Sequence, residues 1–194
     1  MSRRIHIVRL ICAVANFAVV TGCREPFGES SDACSDLTGL PLIDLFISSS
    51  QRLPASGEVP AHCQVKGVIE TEIQFELLLP EPDEWNGRFL MGGGGGFVGT
   101  VQNQARTLYS HGGRPLQRGY ATVGTDTGHV GGGIEASWAL NNPTRQMNWG
   151  HRAVHLTTEA AKSIIAEYYG RATDYSYFVG CSRGGGQAMM ESQR

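Results

Sequence analysis

The sequence has no run of lysines and arginines: 16 basic residues stand against 18 acidic ones, for a formal charge of −2. A nucleic-acid binder carries a basic stripe or face that neutralises phosphates, so that class is excluded. A membrane-spanning run is missing too. The apolar stretch 10–20 is interrupted by Asn16 and falls well short of the roughly 20 residues that cross a bilayer. No internal repeat and no low-complexity linker breaks the 194 residues, which leaves one domain as the expectation. What the chain has in excess is glycine. Its 26 glycines are roughly twice the usual share, and they gather at Gly92 to Gly96, Gly131 to Gly133 and Gly184 to Gly186, a distribution that points to sites built from backbone.

Residues 1–22 read as an export signal. Arg3, Arg4 and Arg9 form a positive n-region, residues 10–20 the apolar h-region, and Thr21-Gly22 the small residues of a cleavage site. Val20-Thr21-Gly22-Cys23 also resembles a bacterial lipobox, in which Cys23 becomes the lipidated first residue; the alternative is a plain secretory signal. The expected location is therefore periplasmic, or the outer membrane or cell surface as a lipoprotein, and otherwise secreted. The mature domain, 23–194, keeps 13 basic and 18 acidic residues, a net charge of −5. With Cys12 removed and Cys23 acylated, Cys34, Cys63 and Cys181 remain. In an oxidising compartment Cys34 and Cys63 are expected to pair, leaving Cys181 odd.

Hydrophobic patterning gives a coarse element order. Residues 42–50 are compatible with a short helix and 54–60 with a loop. Near-alternation over 65–79 predicts one or two antiparallel strands, and 88–91 a short strand running into glycine. Residues 99–110 are helix-compatible, 120–123 read as a buried strand, and 128–142 as a long glycine-rich loop. Apolar spacing of three and four over 150–169, closed by Gly170, predicts the main helix. A strand at 175–179 and a helix from 185 follow. This order predicts an α/β fold with a largely parallel central sheet.

Gly180-Cys181-Ser182-Arg183-Gly184 fits G-x-S-x-G between a strand and a helix-compatible stretch. In that context Ser182 is the candidate nucleophile, on a sharp turn that flanking glycines permit. The bland alternative is a structural serine in a glycine-rich turn. The run Gly92 to Gly96 follows a strand, where a backbone N–H can serve an oxyanion hole. The same run contains Gly94-x-Gly96-x-x-Gly99, which also matches a dinucleotide-binding pattern, so an oxidoreductase is a second functional reading.

The strand and elbow Tyr175-Ser176-Tyr177-Phe178-Val179-Gly180-Cys181-Ser182-Arg183-Gly184-Gly185-Gly186-Gln187 resemble the tannase and feruloyl esterase family. Trp85-Asn86-Gly87-Arg88-Phe89, the glycine run, Thr125-Asp126-Thr127-Gly128-His129 and Arg152-Ala153-Val154-His155 resemble segments of that family in the same order. The resemblance implies an α/β-hydrolase fold and a serine esterase that acts on small aromatic-acid esters. It implies Ser182 as nucleophile, the Arg183 N–H as one oxyanion donor and the N–H of Gly93, Gly94 or Gly95 as the other. It further implies a disulfide from Cys181 to a cysteine beside the catalytic histidine, and an N-terminal disulfide that Cys34 and Cys63 fit. A calcium ion in the family's lid is implied as well, with no ligands assignable in this sequence.

A triad in this fold runs Ser, then Asp or Glu, then His, yet no Asp and no His follows Ser182, and the one acid, Glu191, is expected inside the elbow helix. The upstream candidates are Asp126, His111, His129, His151 and His155, each with a structural alternative. The expectation is an N-terminal part of a larger hydrolase, inactive and poorly stable alone. The nonenzymatic alternative is a lipid-anchored surface or binding protein, or a pseudogene product.

Overall fold

The computed structural model describes residues 32–108 and 114–194. Residues 1–22, expected as an export signal, Cys23 and His111 lie outside the described residues.

A four-residue helix α1 (Ala33–Asp36), capped by the Asp32 carboxylate on the Cys34 N–H, leads into strand β1 (Leu45–Leu53). This strand replaces the helix expected over 42–50. Three successive serines, Ser48 to Ser50, are poor helix-interior residues because their hydroxyls compete for backbone groups, and Pro54 closes the segment. The backbone instead pairs antiparallel with β2 (His62–Ile69), from Leu45 opposite Ile69 to Leu53 opposite His62. Strand β3 (Ile73–Pro80) pairs antiparallel with β2, so the alternating stretch 65–79 resolves into a hairpin whose Val65, Ile73, Leu77 and Leu79 are buried. A Cys34–Cys63 disulfide ties α1 to β2.

The other three strands are β4 (Arg88–Gly92), β5 (Ala121–Thr125) and β6 (Tyr175–Val179), in the sheet order β1-β2-β3-β5-β4-β6. Only the β4–β5 and β4–β6 pairings are parallel; β3 meets β5 antiparallel. The sheet is mixed rather than largely parallel, because short connections in the first half join neighbours as hairpins, and only the second half has helix-length crossovers. Between β4 and β5, helix α2 (Ala105–Leu108) is a single turn. The helix expected over 99–110 is otherwise irregular chain, with Gln102 bridging Thr125.

The main helix is built in three steps. Helix α3 (Pro143–Met147) starts with proline in its first turn, and the Asn142 side chain accepts the Arg145 N–H. A π-helical turn follows over Asn148–Arg152, and α4 (Ala153–Tyr169) completes it, ending at Gly170 with φ 68°. Helix α4 buries Ala153, Val154, Ala161, Ile164 and Ile165 in one core with Phe75, Leu77, Phe89, Met91 and Val123 of the sheet. At its far end Tyr169 stacks on Trp85, ring centroids 3.8 Å apart, which gives the Trp85-Asn86-Gly87 turn its packing partner. Helix α5 (Arg183–Glu191) follows β6.

Candidate active site

The connection from β4 runs to its neighbour β5 on one side, whereas the connection from β5 crosses back over β4 to β6 on the other. Open α/β sheets bind ligands at such a switch point, beyond the carboxyl ends of the strands. Parallel pairing of β4 with β6 sets Gly92 opposite Val179, and the glycine run and the elbow therefore leave the sheet side by side.

At the elbow, Ser182 has φ 55° and ψ −120°, a conformation that costs a non-glycine residue energy and that clusters at functional sites. A serine at a helix start ordinarily accepts a hydrogen bond from the first turn. Ser182 makes no such cap bond, and the residue is exposed. Close packing explains the surrounding glycines. A Cβ on Gly180 would run into the Gly184 carbonyl, and one on Gly93 would sit 2.6 Å from the Gly184 Cα.

The N–H groups of the glycine run are largely committed. Gly93 donates to the Val179 carbonyl at 2.8 Å, Gly94 to Gln187 Oε1 at 3.0 Å and Gly95 to Gln102 Oε1 at 2.8 Å. The Gly96 and Arg183 N–H groups meet no acceptor among the described residues. This loop does not suit a pyrophosphate. Dinucleotide cradles need the N-terminus of a helix directly after the glycines, whereas here α2 begins only at Ala105 and lasts one turn.

The Arg183 side chain turns away from Ser182 toward the π-helical turn. Its guanidinium lies 3.7 Å from the Trp149 ring centroid, and Nη2 donates to the Trp149 and Gly150 carbonyls at 2.6 and 3.1 Å. Burial lowers its pKa. Trp149 in turn meets Phe97 and Trp138, at 5.8 and 6.1 Å between centroids, and Trp138 stacks on His129 at 3.7 Å.

The upstream acid–base candidates take structural positions. Asp126, 1% exposed at the end of β5, accepts the Gln74 and Gly128 N–H groups through Oδ1 at 3.0 and 2.8 Å. Its Oδ2 is buried without a partner, and burial pushes its pKa up to about 7. His129 is buried and its pKa is lowered, chiefly by desolvation. His151 lies in the π-helical turn. His155 Nδ1 meets Glu191 Oε1 at 3.0 Å, which places the one acid after Ser182 at the far end of α5. Cys181 is an exposed free thiol. Among the described residues no three His, Cys, Asp or Glu side chains converge as metal ligands. Sequence reading missed Gln102, Gln104, Gln187 and Trp149, since an isolated glutamine or tryptophan carries no motif.

The profile of the family described as tannase and feruloyl esterase matches residues 57–194. The chain belongs to this family. It is 36% identical over 180 residues, 86% of its length, to an uncharacterized esterase from Xanthomonas campestris pv. campestris, of which it covers 30%. It is 38% identical over 158 residues, 72% of its length, to a mono(2-hydroxyethyl) terephthalate hydrolase from Piscinibacter sakaiensis, of which it covers 26%. Among solved structures, feruloyl esterase B from Aspergillus oryzae superposes with a TM-score of 0.66 at 26% identity, over 80% of this chain and 33% of that one. The chain thus spans about 30% of the length of the tannase and feruloyl esterase relatives it matches.

Proposed function

We propose that this chain carries the nucleophile and oxyanion-hole portion of an exported serine esterase that hydrolyses small esters of aromatic acids. The observation that carries the reading is the strained, uncapped Ser182 at a strand-to-helix turn, with the uncommitted Arg183 N–H directly after it. The relatives' names supply the substrate class.

Ser182 Oγ attacks the ester carbonyl carbon and gives its proton to a histidine base; the carbonyl oxygen becomes a tetrahedral oxyanion. That anion accepts the Arg183 N–H, at the positive end of α5, and a glycine-run N–H. Within the run the proposed donor moves from Gly93–Gly95 to Gly96, whose N–H has no other acceptor among the described residues. Collapse expels the alcohol, protonated by the histidine, and water then releases the aromatic acid from the acyl-enzyme. We place the histidine, its acid partner and the cysteine that pairs with Cys181 in the part of the family's length that this chain does not cover. Residues 1–22 would direct export, with Cys23 as the lipidated residue.

The test is hydrolysis of methyl ferulate, methyl gallate and mono(2-hydroxyethyl) terephthalate by the full-length protein. Ser182→Ala should abolish turnover and labelling by a fluorophosphonate probe. Unchanged turnover in Ser182→Ala would overturn the assignment. Mass spectrometry of the mature N-terminus tests Cys23: an unlipidated terminus at another residue removes the anchor.

A further inference from the structure

Two segments far apart in sequence, the glycine run and the elbow, must hold their N–H donors at one spacing for an oxyanion to bind. Glycines are the residues with the greatest freedom to move, so something other than the run itself has to fix that spacing. The Gly93 N–H bond to the Val179 carbonyl ties the run to the strand before the elbow, and packing of Gly93 on Gly184 brings the backbones together. Neither reaches the elbow turn itself with a directional bond.

Two carboxamides supply the direction, one from each side. Gln187 on α5 is 3% exposed, and its Oε1 reaches across to the Gly94 N–H. Gln104, just after the glycine run, sends its Oε1 to the Cys181 N–H at 2.7 Å, while its own N–H donates to the Gly93 carbonyl at 2.9 Å. The elbow helix thus grips the loop, and the loop grips the elbow. The Gly94 bond is buried, where a backbone N–H left without an acceptor is costly, and a neutral carboxamide oxygen satisfies it without burying a charge.

We infer that Gln187 and Gln104 are positioning residues, a reciprocal clasp that fixes the separation of the Gly96 and Arg183 N–H donors. Neither side chain needs to touch the substrate. The inference rests on the serine-esterase reading for its kinetic consequence, while the clasp itself has a readout that does not depend on activity.

The test uses the full-length protein with Gln187→Leu, Gln104→Leu and Gln187→Glu. Misplacing a donor by a fraction of an ångström lowers kcat, and each leucine variant should lose about 10- to 100-fold in kcat with KM for methyl ferulate within about twofold. Gln187→Glu keeps an oxygen acceptor in either protonation state and should recover most of that loss. Independently, hydrogen exchange at the Gly94 amide should accelerate in Gln187→Leu, and at the Cys181 amide in Gln104→Leu. Should Gln187→Leu not fold, Gln104→Leu, at a half-buried position, carries the same measurement. Exchange unchanged in the leucine variants overturns the clasp, as does a kcat loss that Gln187→Glu shares in full. Turnover retained by Ser182→Ala would instead overturn the esterase reading, and the exchange result would still stand.

Discussion

Arg183 is held by Trp149 and the adjoining Gly150 through three contacts: the guanidinium over the Trp149 indole and hydrogen bonds to the Trp149 and Gly150 carbonyls of the π-helical turn. Single π turns inside helices recur at functional sites, and this one presents its carbonyls to the residue whose N–H is the proposed oxyanion donor. A partly desolvated cation–π contact is worth about 1–2 kcal/mol. Trp149→Ala is therefore expected to lower kcat about 5- to 30-fold with little change in KM. Arg183→Lys, which loses the planar fork, should show a similar fall. A change confined to KM in both variants would show that the side chain contacts substrate instead.

Gly180 tests the packing of the elbow. Forcing a methyl group against the Gly184 carbonyl is an overpacking change of about 1–3 kcal/mol or more, so Gly180→Ala should lower the urea midpoint clearly. Gly39→Ala serves as the control, because a Cβ there meets nothing within 4 Å. Equal midpoints for the two variants would contradict the crowding.

The His155–Glu191 pair lies at the end of α5, nine residues beyond Ser182, or about 13 Å along the helix. Neither residue is placed to move the Ser182 proton. His155→Gln and Glu191→Gln should each keep kcat within about twofold on methyl ferulate. Loss of turnover in a folded His155→Gln would bring the upstream histidine back as the base.

Asp126 gives the fold a pH dependence. Burial pushes its carboxyl up from the ordinary 3.8 to about 7, so the folded chain binds that proton more tightly than the unfolded chain. Its contribution to stability is full below about pH 4 and is lost as pH rises toward 7. Asp126→Asn keeps the Oδ1 acceptor for Gln74 and Gly128 and cannot ionise. The variant's urea midpoint should therefore gain on that of the parent between pH 4 and 7, then hold a constant lead. Curves that run parallel across that range would exclude Asp126 as the titrating group.

Local signals were legible wherever one short segment determined the outcome. The hairpin of β2 and β3, the strand before the elbow and the stop of α4 at Gly170 follow from alternation, helical spacing and a left-handed glycine. The helix expected over 42–50 fails because its apolar residues are too few to separate periods of two and 3.6, and pairing with β2 decides the matter from outside the segment. The mixed sheet was hidden for a related reason: strand direction depends on which strands become neighbours. At the site, Ser182 and the glycine run announce themselves through backbone chemistry. Gln104, Gln187 and Trp149 acquire their roles only when segments distant in sequence meet.

Both proposed oxyanion donors belong to the main chain, and this sets what mutation can do to them. No side-chain replacement at Gly96 or Arg183 deletes an N–H, except by proline. The donor pair is therefore a very small target for direct loss, and erosion of activity has to proceed through geometry: the turn at Ser182, the packed glycines and the side chains that hold them. The side chain at position 183, freed from the chemistry, is available as a fastener, and here it is used as one.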